Sequence, residues 1–219
     1  MSPETDRQSI KDWLETVPDT ETVAGFVPGP GIARLQLRFD INELRAALTE
    51  LTSHSEFDGG KFAEQGFGAI ALTRRPGVEH QSSNDLSGRY WLRADDRYVE
   101  EPREELVDEA AFSELVPDVR GSYFEHVHEE LGARFQVGRM RVLWKALYNC
   151  NSWHRDPEPR IHVPIIANPG SLFVVNNHCT HLPADGSVFF TDTRGYHTAL
   201  NGGLEGRVQL VAAVAQPRS

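Results

Sequence analysis

The sequence predicts a mainly β fold with flanking helices, formed by a single domain that spans residues 1–219. From about Gly138 onward, short runs rich in β-branched and aromatic residues are interrupted by Pro, Gly, Asn or Asp every six to ten residues, which is typical of a meandering antiparallel sheet. Helical spacing of apolar residues is confined to the first half of the chain. We therefore expect an antiparallel barrel or sandwich in residues 138–219, with residues 1–137 packed outside it as a mixed helical and strand support.

Helices are expected only in the first half. The segments with amphipathic helical spacing are residues 10–17, 44–54, 104–115 and 118–131. The second of these has the clearest start, because Asp40 and Glu43 form a capping-box pattern in front of it. Pro117 separates the last two segments, and Gly132 ends the last one.

The remaining segments divide into strands and one long loop. Residues 66–77 alternate as a strand does and end in a Pro-Gly turn, whereas residues 78–103 are polar and irregular. We expect residues 78–103 to form a loop of the kind that often covers or binds a ligand. The second-half strands are expected within residues 139–148, 160–168, 171–177, 187–193, 197–201 and 207–215.

Composition and charge exclude several classes of function. Lys and Arg total 22 and Asp and Glu total 32, so the net charge is −10, and no run of basic residues offers a face for nucleic acid. The sequence has no run of eighteen apolar residues, and its N-terminus is polar and acidic, so we expect a cytoplasmic protein with no membrane partner. Its two cysteines, Cys150 and Cys179, are expected to be free thiols.

Three residues form the strongest candidate metal site. His154 and Asp156 belong to a His-Arg-Asp motif at the end of a predicted strand, where residues two apart project from the same face. His197 begins a later predicted strand and could supply a third ligand. Two histidines and one carboxylate form the facial arrangement of non-haem Fe(II) oxygenases, which leaves positions open for a co-substrate and dioxygen.

Other histidines are weaker candidates. His126 and His128 lie two apart on a predicted helix, so their side chains point in different directions and cannot chelate one ion. His178, Cys179 and His181 form a compact cluster that could bind zinc, but no partner pair lies at the spacing of a zinc finger. We expect these three to be polar loop and strand residues.

Arg207 opens an apolar strand and therefore needs an anionic partner, because an unpaired buried guanidinium is very costly. That partner could be the carboxylate of a ligand, bound in a bidentate manner. Alternatively, Arg207 could pair with Asp192 or Glu205 at the rim of the barrel. The sequence leaves both interpretations open.

Several ordered motifs between about Arg141 and Val214 resemble the catalytic core of the Fe(II)/2-oxoglutarate-dependent dioxygenases. The resemblance is specifically to the aspartyl/asparaginyl β-hydroxylase family, in its branch of bacterial cis-proline hydroxylases. The motifs are HRD at 154–156, RIHVPI at 160–165, LPADGSVFFTDT at 182–193, HTALN at 197–201 and Arg207. The resemblance implies a double-stranded β-helix, a jelly-roll and cupin-like core, in residues 138–219. It also implies hydroxylation of an amino acid or a small derivative, with decarboxylation of 2-oxoglutarate to succinate and CO2.

The resemblance implies that His154, Asp156 and His197 are the catalytic iron ligands. Peptidyl aspartyl hydroxylases of this family lack the carboxylate ligand, whereas Asp156 is present here. This difference favours the branch that acts on small molecules. It also argues against a halogenase, in which the carboxylate position is empty and chloride binds the iron.

The resemblance implies that three further residues bind the co-substrate. Arg207 would bind the C5 carboxylate of 2-oxoglutarate, while Arg160 and His162 match positions that help to hold this co-substrate. Because Arg160 and His162 lie two apart on one predicted strand, they share a face. The alternative for this pair is ordinary polarity of the barrel wall.

The substrate site is less defined. Arg89, Trp91 and Arg93 are candidate contacts for the carboxylate and side chain of a small-molecule substrate, and an exposed loop is the alternative. Two other classes of function also remain open. A cupin-like metalloenzyme could use the same ligands without an oxygenase reaction, and a metal-dependent binding or sensor protein could keep them without turnover. Neither the substrate nor the oligomeric state follows from the sequence.

Overall fold

Two antiparallel sheets dominate the computed structural model, which describes residues 4, 31–79, 90–94, 99–103, 107–175 and 178–217. The strands are β1 (Ile32–Arg38), β2 (Phe67–Ala71), β3 (Thr73–Arg74), β4 (Tyr90–Ala94), β5 (Val99–Arg103), β6 (Glu114–Leu115), β7 (Phe135–Lys145), β8 (Asn149–Cys150), β9 (His154–Arg155), β10 (Arg160–Ile166), β11 (Ser171–Val175), β12 (His178–His181), β13 (Ser187–Thr191), β14 (His197–Asn201) and β15 (Arg207–Pro217). The α-helices of this part are α1 (Ile41–His54) and α2 (Tyr123–Gly132), and short 3-10 turns occur at Gly60–Gln65, Glu109–Ala111 and Pro117–Val119.

The order of the strands confirms the predicted mainly β fold with flanking helices. The six-stranded sheet has the order β1, β13, β10, β15, β7, β2. The seven-stranded sheet has the order β12, β11, β14, β9, β4, β5, with β8 paired to β14. The first half of the chain supplies both edges of the six-stranded sheet and the β4–β5 hairpin of the other. The first-half strands within the described residues therefore extend the two sheets, whereas residues 1–137 were expected to pack outside them as a mixed helical and strand support.

The main hydrophobic core lies between the helices and one face of the six-stranded sheet. Helix α1 buries Leu44 and Leu51 on this face, and the residues that they cover include Ile161, Val163 and Leu210, all fully buried. Each such side chain contributes about 1.5–3 kcal/mol through its removal from water. A smaller apolar cluster lies around Phe173, where the two sheets face each other.

The start of helix α1 has one of the two interactions of the predicted capping box. The side chain of Asp40 accepts hydrogen bonds from the backbone N–H groups of Asn42 and Glu43, as an N-cap does. The backbone N–H of Asp40, however, donates to the hydroxyl of Tyr123 on α2 rather than to Glu43. The cap therefore also joins the two helices.

Three predicted segments differ from the structure. Residues 90–94 and 99–103 form the β4–β5 hairpin instead of a loop, because they pair with each other and β4 pairs with β9. Residues 104–115 are predicted as a helix, but the part that the structure describes, residues 107–115, has only the 3-10 turn Glu109–Ala111 and strand β6. The helix predicted at 118–131 begins later, at Tyr123, where Ser122 caps it.

Some predictions fall on residues that the structure does not describe. The helix predicted at residues 10–17 lies outside the described residues. So do Arg89 and the side chain of Arg93. Within the described residues, no helix is long and apolar enough to cross a membrane.

Candidate metal centre

The candidate site lies on the inner faces of the two sheets, where they meet. The register of β7, β15 and β10 places alternate residues of each strand on this side of the six-stranded sheet, while the residues between them face the helices. This inner face carries more charged and polar side chains than a buried surface usually does. Its charged and polar residues on these three strands are Arg139, Arg141, Lys145, Arg160, His162, Arg207 and Gln209.

His154, Asp156 and His197 come together on the seven-stranded sheet, as their motifs predict. His154 on β9 pairs directly with His197 on β14, and Asp156 follows β9, where its backbone N–H donates to the carbonyl of Thr193. The Nε2 atom of His154 lies 3.9 Å from Asp156 Oδ1, and Nε2 of His197 lies 3.7 Å from Asp156 Oδ2. One ligand atom from each residue lies within 4.8 Å of the others, close enough to hold one metal ion.

Backbone carbonyls orient both imidazole rings. Nδ1 of His154 lies 2.7 Å from the carbonyl oxygen of Ser152, and Nδ1 of His197 lies 3.0 Å from that of Gly195. A carbonyl can only accept, so each Nδ1 carries the proton and each Nε2 presents its lone pair towards Asp156. This is the outer-shell arrangement that fixes metal-binding histidines.

The protonation states of His197 and Asp156 also suit a metal. Burial, followed by the neighbouring His154, lowers the pKa of His197 to about 3, so its ring is neutral at physiological pH. Burial raises the pKa of Asp156, but the charge of Arg160 and both imidazoles together lower it more. The net pKa of Asp156 lies below its usual value, and its carboxylate is therefore anionic.

Arg160 is held by three carboxylates on the inner face. Its Nη2 atom lies 3.5 Å from Asp156 Oδ2 and 3.6 Å from Glu109 Oε1, and its Nη1 atom lies 3.3 Å from Glu158 Oε2. Glu109 is itself buried and accepts two hydrogen bonds from Arg139. Arg160, predicted to hold the co-substrate, thus contacts the predicted metal ligand Asp156 in this structure. Glu109 was not found from the sequence, because its segment was assigned to a helix.

Arg207 is buried and forms no ion pair with a carboxylate among the described residues. It is 4% exposed, and its Nη1 atom donates to the carbonyl oxygens of Leu172 and Leu200, at 3.1 and 3.0 Å. No described carboxylate lies within ion-pair distance of it. The rim alternatives are wrong, since Asp192 pairs with Arg194 and Glu205 contributes its backbone carbonyl to other contacts. Burial lowers the pKa of Arg207 to about 10, which still leaves the guanidinium charged at neutral pH.

Lys145 is a second buried cation at this end of the inner face, and the sequence analysis missed it. It lies opposite Arg207 in the register of β7 and β15, and its Nζ atom donates to the side-chain oxygens of Asn149 and Asn151. Burial and then the charge of Arg207 lower the pKa of Lys145 to about 8. Two buried cations without a carboxylate partner among the described residues are suited to bind an anion.

His162 lies between the two cations and the triad. Its ring is 4.8 Å from that of Phe173, which stacks at 5.6 Å on His197. Nδ1 of His162 contacts Gln209 Oε1 at 3.3 Å, whereas its buried Nε2 atom has no hydrogen-bond partner within the described residues. Burial, followed by the charge of Arg207, lowers the pKa of His162 to about 3. A neutral imidazole with an unpartnered nitrogen therefore lies on the inner face, next to the Phe173 ring that stacks on His197.

The β4–β5 hairpin borders the metal site with different residues from those predicted. Leu92 pairs with His154, and the ring of Tyr90 contacts that of His154 at 5.4 Å, so these two share the inner face. Trp91 pairs instead with Arg155, whose guanidinium lies 4.3 Å from its ring. Trp91 thus lies on the outer face, and this position gives no support to its predicted contact with substrate.

The His-Cys cluster does not form a metal site. His178, Cys179 and His181 lie on edge strand β12 with exposed side chains, and Nδ1 of His181 contacts the carbonyl of Ser171. Among the described residues, the triad is the single group of three with metal-binding geometry. Two imidazoles and one carboxylate are consistent with Fe(II), which accepts mixed nitrogen and oxygen ligands.

Solved structures similar to this chain share its fold. An oxidoreductase of the 2OG-Fe(II) oxygenase family from Burkholderia pseudomallei has a TM-score of 0.51 at 14% identity, covering 97% of this chain and 89% of that one. IDO from Bacillus thuringiensis has a TM-score of 0.51 at 8% identity, covering 99% and 96%. A prolyl-4-hydroxylase from Pseudomonas putida has a TM-score of 0.48 at 10% identity, covering 95% and 98%. No protein-family model matches the sequence, and no curated protein matches it. The first likeness shows the fold of a 2OG-Fe(II) oxygenase.

Proposed function

We propose that this protein is an Fe(II)/2-oxoglutarate-dependent dioxygenase that hydroxylates an amino acid or a small amino-acid derivative. The reaction would couple hydroxylation to the decarboxylation of 2-oxoglutarate to succinate and CO2, with O2 as the oxidant. The fold and the triad support an oxygenase of this kind. The observation that carries the proposal is Arg207, a buried cation on the inner face of the six-stranded sheet. It donates to backbone carbonyls of β11 and β14 in the opposite sheet and has no carboxylate partner among the described residues.

Each polar residue of the inner face has a role in this proposal. Iron, when bound, would supply the activation of dioxygen. His154, Asp156 and His197 would hold it on one side only. At the other end of the cavity, Arg207 and Lys145 would bind the distal carboxylate of the co-substrate, because a dianion can replace the water that these cations lose on burial.

The residues between these two ends would orient the co-substrate. His162 offers its unpartnered Nε2 atom to a polar group of the bound molecule. Arg160 would keep Asp156 anionic and could also reach the co-substrate, as the family resemblance implies. Phe173 and Phe189 form an apolar wall, which keeps water away from the reacting groups.

Several finer statements belong to the same proposal. We place the protein in the aspartyl/asparaginyl β-hydroxylase family, in its cis-proline hydroxylase-like branch, because Asp156 supplies the carboxylate ligand. The partner would be a small molecule rather than nucleic acid or a membrane, since the net charge is −10. We also propose one catalytic domain that acts in the cytoplasm.

The proposal is tested with the purified protein, Fe(II), ascorbate and 2-oxoglutarate. Each of the twenty amino acids and their common derivatives is added separately, and both succinate and the candidate product are measured by mass spectrometry. We expect one class of compound to gain a single oxygen atom and to release succinate in equal amount. His197→Ala, which removes one imidazole ligand, is the control and should produce neither.

Two other results would contradict the proposal in different ways. Conversion of a substrate without succinate would identify a cupin-like metalloenzyme with another reaction. Tight metal binding without turnover of any compound would indicate a binding or sensor protein. Only stimulation of succinate release by substrate supports the oxygenase.

A further inference from the structure

A buried cluster lies behind the metal site, on the outer face of the seven-stranded sheet. At its centre, the carboxylate of Glu100 accepts two hydrogen bonds from Arg155, at 2.8 Å from Nε and 2.7 Å from Nη2. The same carboxylate accepts a hydrogen bond from the hydroxyl of Tyr196 at 2.5 Å. Trp91 covers the guanidinium of Arg155. We call Glu100, Arg155 and Tyr196 the outer clamp.

The outer clamp is joined to the triad through the backbone. Arg155 lies between His154 and Asp156 in the chain, and Tyr196 directly precedes His197. Because side chains alternate along a strand, these neighbours project behind the sheet while the triad projects in front of it. One carboxylate therefore holds both segments that carry the metal ligands.

The direct pairing between these two segments is short. Strand β9 has only two residues, and its ladder with β14 consists of the single pair His154 and His197. Besides this pair, the backbone N–H of Asp156 donates to the carbonyl of Thr193, and that of Asn151 donates to the carbonyl of Ala199. Few backbone hydrogen bonds among the described residues therefore fix these two segments relative to each other. Glu100 adds three charge-assisted hydrogen bonds at this point, and the Arg155 and Glu100 side chains are only 4% and 9% exposed.

We propose that Glu100 is a positioning residue for the metal centre. It fixes the spacing of the two imidazoles from behind the sheet, and thereby makes the β4–β5 hairpin a part of the metal site. The inference rests on the proposed metal site. It goes beyond it in assigning a function to a residue that does not face the metal.

The test measures Co(II) binding, because Co(II) accepts the same ligands as Fe(II) and its visible absorption spectrum reports coordination geometry. Glu100→Gln keeps the shape of the side chain but loses the charge and one acceptor. Tyr196→Phe removes the hydroxyl that donates to Glu100 and keeps the buried ring. Glu130→Gln is the matched control, since Glu130 on helix α2 pairs with the buried Arg134 just after that helix, away from the metal.

We expect Glu100→Gln to weaken Co(II) binding by about 10- to 100-fold and to alter the Co(II) spectrum, as changes behind metal ligands do. Tyr196→Phe should weaken binding by roughly three- to tenfold, a smaller change, because the paired Arg155 and Glu100 remain in place. Glu130→Gln should change only the unfolding temperature.

The outcomes separate this inference from the proposed function. If the wild-type protein does not bind Co(II), the proposed metal site itself is wrong. If the wild type binds but Glu100→Gln keeps its affinity and spectrum, the outer clamp contributes only stability and the inference is overturned. If Glu100→Gln does not fold, Tyr196→Phe decides, and an unchanged affinity and spectrum in that variant overturn the inference.

Discussion

The two faces of the six-stranded sheet are formed by alternate residues of the same strands, yet they have opposite chemistry. On β10, Ile161 and Val163 are buried against the helices, whereas Arg160 and His162 are buried between the sheets. On this strand both faces are almost completely buried. Burial stabilises the first face, but on the second it removes the hydration of charged and polar groups at a cost in stability.

This difference indicates that the inner face lowers the stability of the fold in order to bind a ligand. A carboxylate on the chain itself could neutralise Arg207, as Glu109 does for Arg139, but none of the described residues does so. Perturbed, buried ionisable groups of this kind concentrate at functional sites. The two faces should therefore respond differently to substitution, one in folding and the other in binding.

The largest effect is expected at the metal ligands. His197→Ala leaves one imidazole and one carboxylate, so affinity for Co(II) should fall by more than about 100-fold and turnover should be lost. The unfolding temperature without metal should fall little, because His197 contributes mainly to the polar face. Titration of Co(II) and thermal unfolding check the two halves of this prediction. Normal Co(II) affinity in the variant would remove His197 from the site.

The apolar face should show the reverse pattern. Ile161→Ala removes a fully buried side chain beside the helices and should lower the free energy of unfolding by about 2–5 kcal/mol. Co(II) affinity of the folded variant should stay within about twofold, because Ile161 points away from the site. Denaturant unfolding and a Co(II) titration measure the two effects. A large loss of affinity with little loss of stability would contradict the division between the faces.

Arg207 should affect the co-substrate more than the metal. A bidentate ion pair in this cavity is worth about 2–3 kcal/mol, so Arg207→Ala should raise the apparent 2-oxoglutarate constant by about 30- to 150-fold. Arg207→Lys should recover only part of this loss, because a point charge does not reproduce the planar fork. Titrations of 2-oxoglutarate at fixed Fe(II) provide the comparison. Indistinguishable curves for the three proteins would mean that Arg207 only ties the two sheets together.

The smallest effect is expected from Lys145 and depends on pH. The pKa of Lys145 is lowered to about 8, so its charge is present at pH 7 and is mostly lost at pH 9. The 2-oxoglutarate anion binds to the protonated form of Lys145. Its affinity should therefore fall by up to about tenfold between pH 7 and pH 9, as the charged fraction of Lys145 falls. Lys145→Met should bind more weakly at pH 7 and lose this dependence. An equal slope in both proteins would exclude Lys145 from the anion site.

The triad and Arg207 could be predicted because their signals are local. His154 and Asp156 lie two apart at the end of a strand, and Arg207 is a charge that opens an apolar strand. Lys145 has no such signal, because a lysine at a strand end is usually exposed. Its meaning appears only when the register of β7 and β15 places it opposite Arg207.

The β4–β5 hairpin and Glu109 were missed for a related reason. Residues 99–103 contain Pro102 and two glutamates, which individually disfavour a strand, but pairing with β4 overrides this preference. Glu109 lies in a segment whose apolar spacing predicts a helix, but the segment forms a short 3-10 turn. This turn packs against Gly138, where any side chain would collide with the backbone carbonyl of Glu109. In both cases tertiary contacts decide the local structure.

The placement of β1, β2 and the β4–β5 hairpin also governs self-association. These first-half strands cover the sides of β13, β7 and β9, which would otherwise be the open edges of the two sheets. Strand β13 is buried along its whole length and carries the apolar sequence SVFFT. An open edge of this kind is a template for intermolecular pairing. A fragment restricted to residues 138–219 would hold every proposed iron ligand and yet should aggregate rather than bind metal.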